Sequence, residues 1–432
     1  MRPHLLLIPA LLATSAAEAQ SLDLPAAIRS AWSNQPGLQA GEAMAERARQ
    51  EAEAARALNL PTLQAQAGWM RTDEPMMAFG MKLNQARIQA LDFSPASLNH
   101  PSAVSGLGAS LSVTQPLYAG GRLQAAQKGT SLLAGAEAAQ QAHRRQLVAF
   151  AVVQAYFGTQ AAEAGVAYAR ETLDSARGME AFVGARVEQG LLLKSEWART
   201  RAWRAQAEAG LAEARRQEAG ARSALALLTG RNGPLVLATP LEPATGTAAP
   251  AGRRSDLEAA RLQARAASSF ARAAEGTLKP EVGVNLGWGT SRQNLSGAGG
   301  TWTTASLGAR WTFAFADTKR IQAARAATRA AEFQTRWQEA QAARETEDAH
   351  QARTAAEAKV KASEEAVSAA EEARRLRKAR HLEGLLPLTD LLDAEAALSG
   401  ARALRLQSLM DARVARAQEA LATGTPVEGV TE

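Results

Sequence analysis

The chain contains an internal duplication, and this feature limits its possible folds more than any other. The segment from Gly190 to Gly230 reappears as the segment from Gly384 to Gly424, at a constant offset of 194 residues. Upstream, residues 36–61 reappear as residues 255–280 at an offset of 219. The offset falls mainly because the first copy carries the longer loop between two strand-like segments. A chain of this kind folds as two similar units in series.

Each copy begins as a helix, changes to the alternating period of strands and then returns to helix. Pro61 and Pro280 end the first helices, because the residue before a proline is disfavoured in helical conformation. The strand period of the first copy ends at Pro116, and Gly120 and Gly121 allow a sharp turn into a helix-forming segment. The sequence therefore predicts strands joined directly to helices of about 65 residues, each roughly 100 Å long.

The periodicity also sets the predicted boundaries. We expect a signal peptide at 1–19, a first repeat at 20–230, a linker at 231–253, a second repeat at 254–424 and a tail at 425–432. The first repeat is predicted to have strands at about 61–72 and 104–117, a long helix at about 119–187 and a return helix at 191–229. In the second repeat the matching elements are predicted at about 280–291, 301–314, 317–381 and 385–423. Residues 73–103 contain three proline-marked breaks, so a long loop is expected there.

The N-terminus has the pattern of a secretory signal. Arg2 precedes an apolar run from Leu5 to Leu12, and Ala17-Glu18-Ala19 forms a small-x-small cleavage site. A short buried helix is the alternative interpretation. The sequence has no cysteine, which excludes a disulfide scaffold. No later segment approaches 18 consecutive apolar residues, so any membrane crossing is expected to be by strands.

The predicted strands have one face of Leu, Val, Ala, Trp and Phe and another of Ser, Thr, Gln, Asn and Gly. This alternation is typical of a barrel wall that faces lipid outside and water inside. Four strands are too few to close a barrel, since the smallest has about eight, so identical copies would have to share one around a cyclic axis. A soluble, half-buried sheet that caps a coiled coil is the alternative.

Charge and composition argue against other classes of function. The net charge is +6, but Arg and Glu are interleaved along the helices, which favours solvated helix faces over nucleic-acid binding. The five histidines are scattered without the spacing of metal ligands. Neither a phosphate-binding loop nor a clustered catalytic set is present, so we expect no enzyme activity, no metal and no cofactor.

Taken together, these motifs resemble the outer-membrane efflux proteins of the TolC family over nearly all of residues 20–424. The resemblance is carried by Leu22-Asp23-Leu24 with Ala26-Ala27, by the junction from Gln115 to Arg122, by the turns Glu188-Gln189-Gly190-Leu191 and Glu383-Gly384-Leu385, and by Leu388 to Ala394. It implies a mainly helical fold with a membrane β-barrel part, in which a homotrimer forms a 12-stranded barrel continuous with a periplasmic helical tunnel.

The resemblance also implies a function and a set of partners. A TolC-type protein is the outer-membrane channel of a tripartite efflux or secretion system. It docks on a periplasmic adaptor, or membrane fusion protein, and on an inner-membrane transporter of the RND, ABC or MFS type. Drugs, metal ions and secreted proteins all remain open as substrates. The alternative is a soluble periplasmic coiled-coil adaptor or scaffold, but an adaptor would carry a single copy of one helical hairpin.

Two acidic residues near the second turn are the candidate channel entrance. Asp390 and Asp393 lie at i and i+3, so three-fold symmetry would make two stacked carboxylate rings that favour cations. They match the family's acidic entrance residues. The alternative is that they only cap the helix start and face solvent, because Asp is favourable in the first turn of any helix. Glu196 is the equivalent of Asp390 in the first repeat and is expected to hold the turn closed.

The sequence departs from the family pattern in two places. Leu386 occupies the position where a basic partner for an entrance carboxylate would sit, and His381 stands where an aromatic ring is often found. The fourth strand-to-helix junction, Phe313 to Thr318, lacks the proline and double glycine of the first one. There we expect Asp317 and Thr318 to turn the chain and cap the following helix.

Overall fold

A computed structural model describes residues 20–231, 233, 235–243, 252–297 and 299–430. The predicted signal peptide at 1–19 and parts of the predicted linker lie outside these residues. The chain divides into two compact units. The first unit takes in Met1–Glu42, Gln140–Asp256 and Glu339–Glu432, and the second takes in Ala43–Ala139 and Leu257–Gln338.

The elements follow the duplicated order of the sequence. They are β1 (Gln20–Leu22), α1 (Leu24–Asn34), α2 (Pro36–Ala57), β2 (Thr62–Thr72), α3 (Pro75–Asn84), α4 (Pro95–Asn99), β3 (Val104–Ala119), α5 (Arg122–Glu188), α6 (Lys194–Thr229), β4 (Leu235–Leu237), α7 (Ser255–Gly276), β5 (Glu281–Arg292), β6 (Gly299–Arg310), α8 (Phe315–Leu382) and α9 (Leu388–Thr423). Short 3-10 turns lie at Ala90–Phe93 and Val427–Val430.

Helix lengths in the two repeats match closely. Helices α2 and α7 have 22 residues each, α5 and α8 have 67 and 68, and α6 and α9 have 36 each. The prediction of a mainly helical chain with duplicated long helices and four strands in one sheet is confirmed. No helix in the described part of the chain is long and apolar enough to cross a membrane.

The second unit contains a four-stranded antiparallel sheet in the order β2-β3-β5-β6. Its register places Trp69 opposite Leu107 and Leu111 opposite Trp288, so the apolar residues of neighbouring strands share one face. Much of that face is uncovered, with Trp69 64% and Leu307 71% exposed. Within the described residues, β2 and β6 each pair on one side only.

The prediction of an irregular loop over residues 73–103 is wrong. The segment contains α3, the 3-10 turn at Ala90–Phe93 and α4. Pro75 and Pro95 occupy the first positions of the two helices, where a missing backbone N–H costs nothing and the fixed φ is already helical. Ser94 caps α4 by accepting a hydrogen bond from the Ser97 amide at 3.3 Å. The prolines that indicated breaks are therefore helix starts.

Two other boundaries differ from expectation. Strand β1 precedes α1 and pairs in parallel with β4 of the predicted linker, while Asp23 caps α1. Helix α8 begins at Phe315, so Asp317 lies inside its first turn instead of capping it. Both differences arise because three-residue strands and the first turn of a helix give too little periodicity to be recognised in sequence.

The hydrophobic core of the first unit surrounds one buried tyrosine. Tyr156 and Phe157 are fully buried with residues of β1 and α1, including Leu22 and Ile28. The Tyr156 hydroxyl donates to the Leu22 carbonyl at 2.7 Å and accepts from the Thr239 amide at 2.9 Å. These two hydrogen bonds replace the bonds to water that the hydroxyl loses on burial.

Candidate functional site at the two helical turns

The first turn, between α5 and α6, is fixed by backbone conformation. Gly190 has φ of 73°, a left-handed value that residues with a Cβ adopt only at a cost. Its amide donates to the Val187 carbonyl at 3.0 Å, and the Leu191 amide donates to the Arg186 carbonyl at 2.8 Å. This pair of bonds is the Schellman motif, which satisfies carbonyls left over at a helix end.

The second turn repeats the first atom for atom. Gly384 has φ of 76°, its amide donates to the His381 carbonyl at 3.0 Å, and the Leu385 amide donates to the Arg380 carbonyl at 3.0 Å. Every donor and acceptor is shifted by the offset of the duplication. Each return helix then starts four residues after the glycine, at Lys194 and Leu388.

Residues of both turns line one cavity of about 510 Å³ in the first unit. Most of its lining is apolar, and the leucines are Leu191, Leu192, Leu193, Leu385, Leu386 and Leu388. Three titratable side chains, Arg186, Glu196 and His381, line the same cavity. The two turns are therefore neighbours, and they enclose a mainly apolar space with a few ionisable groups.

His381 and Leu386, the two departures from the family pattern, are in direct contact. His381 is only 8% exposed, and its Nδ1 lies 2.8 Å from the Leu386 carbonyl oxygen. Since a carbonyl can only accept, Nδ1 carries the proton and donates. This bond ties the last turn of α8 to the segment that leads into α9. The second turn is thus closed by a bond from a side chain to the backbone and needs no basic residue at position 386.

Glu196 lies in the first turn of α6 and faces this cavity. Its amide donates to the Leu193 carbonyl at 3.0 Å, which begins the helix. Its Oε2 atom is buried and has no hydrogen-bond partner among the described residues. The structure therefore places Glu196 in one cavity with His381. A role in holding the turn closed stays a prediction.

Asp390 and Asp393 both lie at the start of α9, one turn apart. Asp390 is half-buried and accepts a long hydrogen bond of 3.4 Å from the Thr389 hydroxyl, whereas Asp393 is exposed. Neither carboxylate forms an ion pair with any residue that the structure describes. Asp393 also lines a separate groove of about 750 Å³ between α5, α6 and α9. The Arg377 guanidinium lies close by and donates to the Asp390 backbone carbonyl at 3.2 Å. Two carboxylates without an ion pair on one helix start are suited to a cation-attracting surface.

Among the ion pairs that join the two helices of each hairpin in the described residues, the pair nearest the turn is short and mostly buried, and sequence reasoning missed both pairs. In the second hairpin, Arg374 of α8 contacts Glu395 of α9 at 2.7 Å. In the first hairpin, Glu180 of α5 contacts Arg204 of α6 at 2.5 Å. The outgoing helix carries the base in one repeat and the acid in the other. Only the offset of the duplication, applied to charged residues, offered a signal for this reversal.

Arg402 of α9 connects three helices of the first unit and was also missed. Its guanidinium contacts Glu171 of α5 at 2.8 Å and Glu371 of α8 at 3.0 Å. It also lies over the Tyr168 ring, 5.1 Å from the ring centre. A planar, five-donor guanidinium suits this combination of two carboxylates and an aromatic face.

In the second unit, the predicted junction residues lie where strands meet helices. Pro61 and Pro280 directly precede β2 and β5, and Pro116 lies at a register shift in β3. Gly120 and Gly121 have φ of 66° and 79°. A Cβ at Gly120 would overlap the carbonyl oxygen of Gly276, so only glycine lets the end of β3 approach the end of α7 so closely.

Comparisons with known proteins agree with this architecture. A sequence model of the outer membrane efflux protein family matches residues 27–231 and 251–425. No curated protein sequence matches the chain. Among solved structures, CusC has a TM-score of 0.80 at 19% identity, and 97% of each chain is covered. The MtrE outer membrane channel of Neisseria gonorrhoeae in its open state has a TM-score of 0.77 at 22% identity, covering 94% of this chain and 89% of that one.

A third structure, the outer membrane protein VceC of Vibrio cholerae, has a TM-score of 0.76 at 19% identity and covers 94% of this chain and 96% of that one. At these identities the likeness establishes the fold. The family match covers both repeats and most of the sequence, so it establishes more. The chain belongs to the outer membrane efflux protein family, and it is an outer-membrane channel with a periplasmic helical part and not an enzyme.

Proposed function

We propose that the chain is the outer-membrane channel of a tripartite efflux or secretion system. In this role it conducts passively from the periplasm to the outside when docked to a periplasmic adaptor and an inner-membrane transporter of the RND, ABC or MFS type. The observation that carries the proposal is the sheet of the second unit. Within the described residues it has an uncovered apolar face and two unpaired edges, and its strands lead directly into the long helices.

An open four-stranded sheet of this kind is unfavourable in lipid. Each unpaired backbone N–H or carbonyl in the hydrocarbon region costs several kcal/mol, and β2 and β6 each expose a full edge. If β2 of one copy pairs with β6 of the next, three copies close a 12-stranded barrel and no edge remains. The apolar face then contacts lipid, while the Ser-, Thr- and Gly-rich face lines the lumen.

The duplicated hairpins supply the periplasmic part of the proposed channel. The first repeat (20–230) and the second repeat (254–424) contribute one long hairpin each, so three copies contribute six hairpins. Around the axis, Asp390 and Asp393 form two rings of three carboxylates at the entrance, with Glu196 in the neighbouring turn. Such rings attract cations and repel anions. The aspartates' lack of ion-pair partners in the described chain supports this role.

Membrane fractionation followed by cross-linking tests the proposal. We expect the protein in the outer-membrane fraction as a trimer that dissociates on heating in detergent, because the barrel hydrogen bonds between copies resist detergent at room temperature. Purified trimers should form ion-conducting channels in planar bilayers. A soluble periplasmic monomer or dimer would contradict the shared barrel, and would favour the soluble scaffold instead.

A further inference from the structure

We propose that residues 73–103, the β2–β3 lobe, form a lid over the lumen side of the barrel and restrict its exit. The inference rests on the proposed function, since it needs a shared barrel with a lumen. The lobe joins β2 to β3 at the strand ends opposite the helix junctions at Pro61 and Gly120. The corresponding connection of the second repeat, between β5 and β6, has only the six residues 293–298.

The glycines of the sheet show which face the lobe covers. Gly106 alternates with the apolar residues of β3, so a side chain at this position would point to the polar face that carries Ser110 and Ser112. A Cβ at Gly106 would overlap the side-chain amide of Gln85 and lie 3.2 Å from the Met81 sulfur. The end of α3 therefore sits on the polar face of β3.

The edge strand β6 gives the same answer independently. Gly300 of β6 shares the polar face with Thr304 and Ser306, since its register partner is Ser291. A Cβ at Gly300 would overlap the carbonyl oxygen of Asn84, the last residue of α3. Helix α3 thus reaches across the sheet from β3 to β6, always on the side that the proposed barrel turns toward its lumen.

The lobe is held in this position by its own contacts. Gln85 is fully buried, its amide nitrogen donates to the Ser105 carbonyl at 3.1 Å, and its oxygen accepts from Arg87 at 2.9 Å. Lys82 and Asp92, both mostly buried, form an ion pair at 2.8 Å. The Gln85 bond to Ser105 holds the lobe against β3, and the other two contacts hold the lobe together, so it is a folded lid and not a loose loop.

The surface of the lobe is suited to restricting ions. Met76 is 80% exposed and Leu91 is 78% exposed, and Phe93 is also exposed. Three copies would bring three such lobes to one mouth. An apolar constriction opposes the passage of hydrated ions because they must lose water to enter it. We therefore expect the lobes to lower the single-channel conductance for small ions.

A glycine substitution with a matched control tests the lid. Gly300→Val would push α3 off the polar face, whereas Gly308→Val adds the same side chain to the same strand and face, where no other atom lies within 4 Å of the new Cβ. In planar bilayers with KCl, we expect Gly300→Val to raise conductance by roughly twofold and Gly308→Val to leave it unchanged. Equal conductances of wild type and both variants would overturn the lid.

A loop replacement covers the case in which Gly300→Val fails to assemble. Residues 73–103 are exchanged for the chain's own short connection, residues 293–298, so the strands keep a native type of turn. Heat-dissociable trimers with raised conductance support the lid. Trimers with wild-type conductance refute it and leave the channel proposal intact. If the wild-type protein itself forms no conducting trimer, the channel proposal fails, and the lid fails with it.

Discussion

At the scale of single residues, Gly190 and Gly384 set the two turns through backbone conformation alone. Neither has another atom within 4 Å of the place where a Cβ would be, apart from its own chain neighbours, so crowding plays no part. We expect Gly384→Ala to destabilise its turn by about 1 kcal/mol. Alanine is strained in the left-handed conformation, and part of this cost is offset because alanine has less conformational entropy than glycine in the unfolded chain. Amide exchange at Leu385 should then accelerate about fivefold.

The control for this substitution is Gly210→Ala in the middle of α6. That glycine also has open space around it but is helical, so alanine should stabilise it by roughly 0.5–1 kcal/mol. Amide exchange around position 210 should slow. If exchange at Leu385 were unchanged in Gly384→Ala, the turn would not depend on the left-handed glycine.

The two entrance aspartates make a prediction about selectivity. Asp390→Asn with Asp393→Asn removes both proposed carboxylate rings while keeping the size of the side chains. We expect the cation-to-anion permeability ratio of single channels to fall, because the local negative potential is lost. Asp411→Asn, in the same helix but bonded to Gln407 far from the turn, is the matched control and should keep the wild-type ratio. Unchanged selectivity in the double variant would refute the ring assignment.

Protonation of His143 should destabilise the first unit in acid. Burial lowers the pKa of His143 below its usual 6.5, and Arg254 lowers it further, while Asp256 and Glu345 oppose the shift. The unfolded chain therefore binds a proton before the folded one, and stability falls as pH drops through about 6.5. His143→Gln should become the more stable protein below that pH in thermal unfolding, and the two should agree above it.

An exposed histidine supplies the control for the acid effect. His100→Gln changes a residue on the surface of the lobe and should follow the wild-type profile of unfolding temperature against pH. If His143→Gln loses stability in acid as steeply as the wild type, the half-buried His143 imidazole is not the cause.

At the scale of elements, several ion pairs join the two helices of each long hairpin, and those nearest the turns are Arg374 with Glu395 and Glu180 with Arg204. The pairs have opposite polarity, with Arg374 on the outgoing helix of one hairpin and Glu180 on that of the other. Arg374→Glu alone should cost roughly 2 kcal/mol, because it sets two acids together at a site where Glu395 is only 10% exposed. Adding Glu395→Arg should recover most of the loss.

A double-mutant cycle in thermal unfolding measures this coupling. The comparison pair is Arg375 with Glu372, which lie one turn apart on the exposed face of α8. Swapping that pair should produce no measurable coupling, since exposed pairs are screened by water and salt. Absence of coupling between Arg374 and Glu395 as well would mean that this ion pair does not stabilise the hairpin.

Much of this element order was predictable from the sequence. Two periods, 3.6 for helices and 2 for strands, recur at a fixed offset, so each repeat checks the other. The lobe was mispredicted because proline reads as a break, yet Pro75 and Pro95 start helices. Contacts such as those of Arg402 could not be predicted from the sequence, because they depend on how far each helix is rotated about its own axis.

The turn site was predictable to a similar degree. Glycine after a helix, repeated at the offset of 194, gave Gly190 and Gly384 directly. The same offset related Glu196 to Asp390. The bond from His381 to Leu386 was not foreseen, because a histidine bonded to a carbonyl leaves no pattern in residue type. The bond depends on the position of a backbone oxygen five residues further along the chain.

At the scale of the whole molecule, the unpaired edges of β2 and β6 predict contact between copies. The chain has no cysteine, so any disulfide cross-link must come from the introduced cysteines. We expect Gln66→Cys in β2, combined with Thr304→Cys or Ser306→Cys in β6, to give disulfide-linked dimers and trimers on oxidation. All three positions lie on the polar face. Asn285→Cys in the central strand β5 with Gln66→Cys should give no cross-link between copies.

The near-equal helix lengths of the two repeats restrict how the length of the helical part can change. One inserted residue turns every later side chain of a helix by about 100° and moves it by about 1.5 Å, which breaks pairs such as Arg374 with Glu395. Seven residues make nearly two whole turns and almost restore the phase. Viable length changes therefore come in steps of about 10 Å, and they must be made in both repeats at once. The two hairpins therefore fix the length of the helical part of the molecule, and that length can change only by whole heptads.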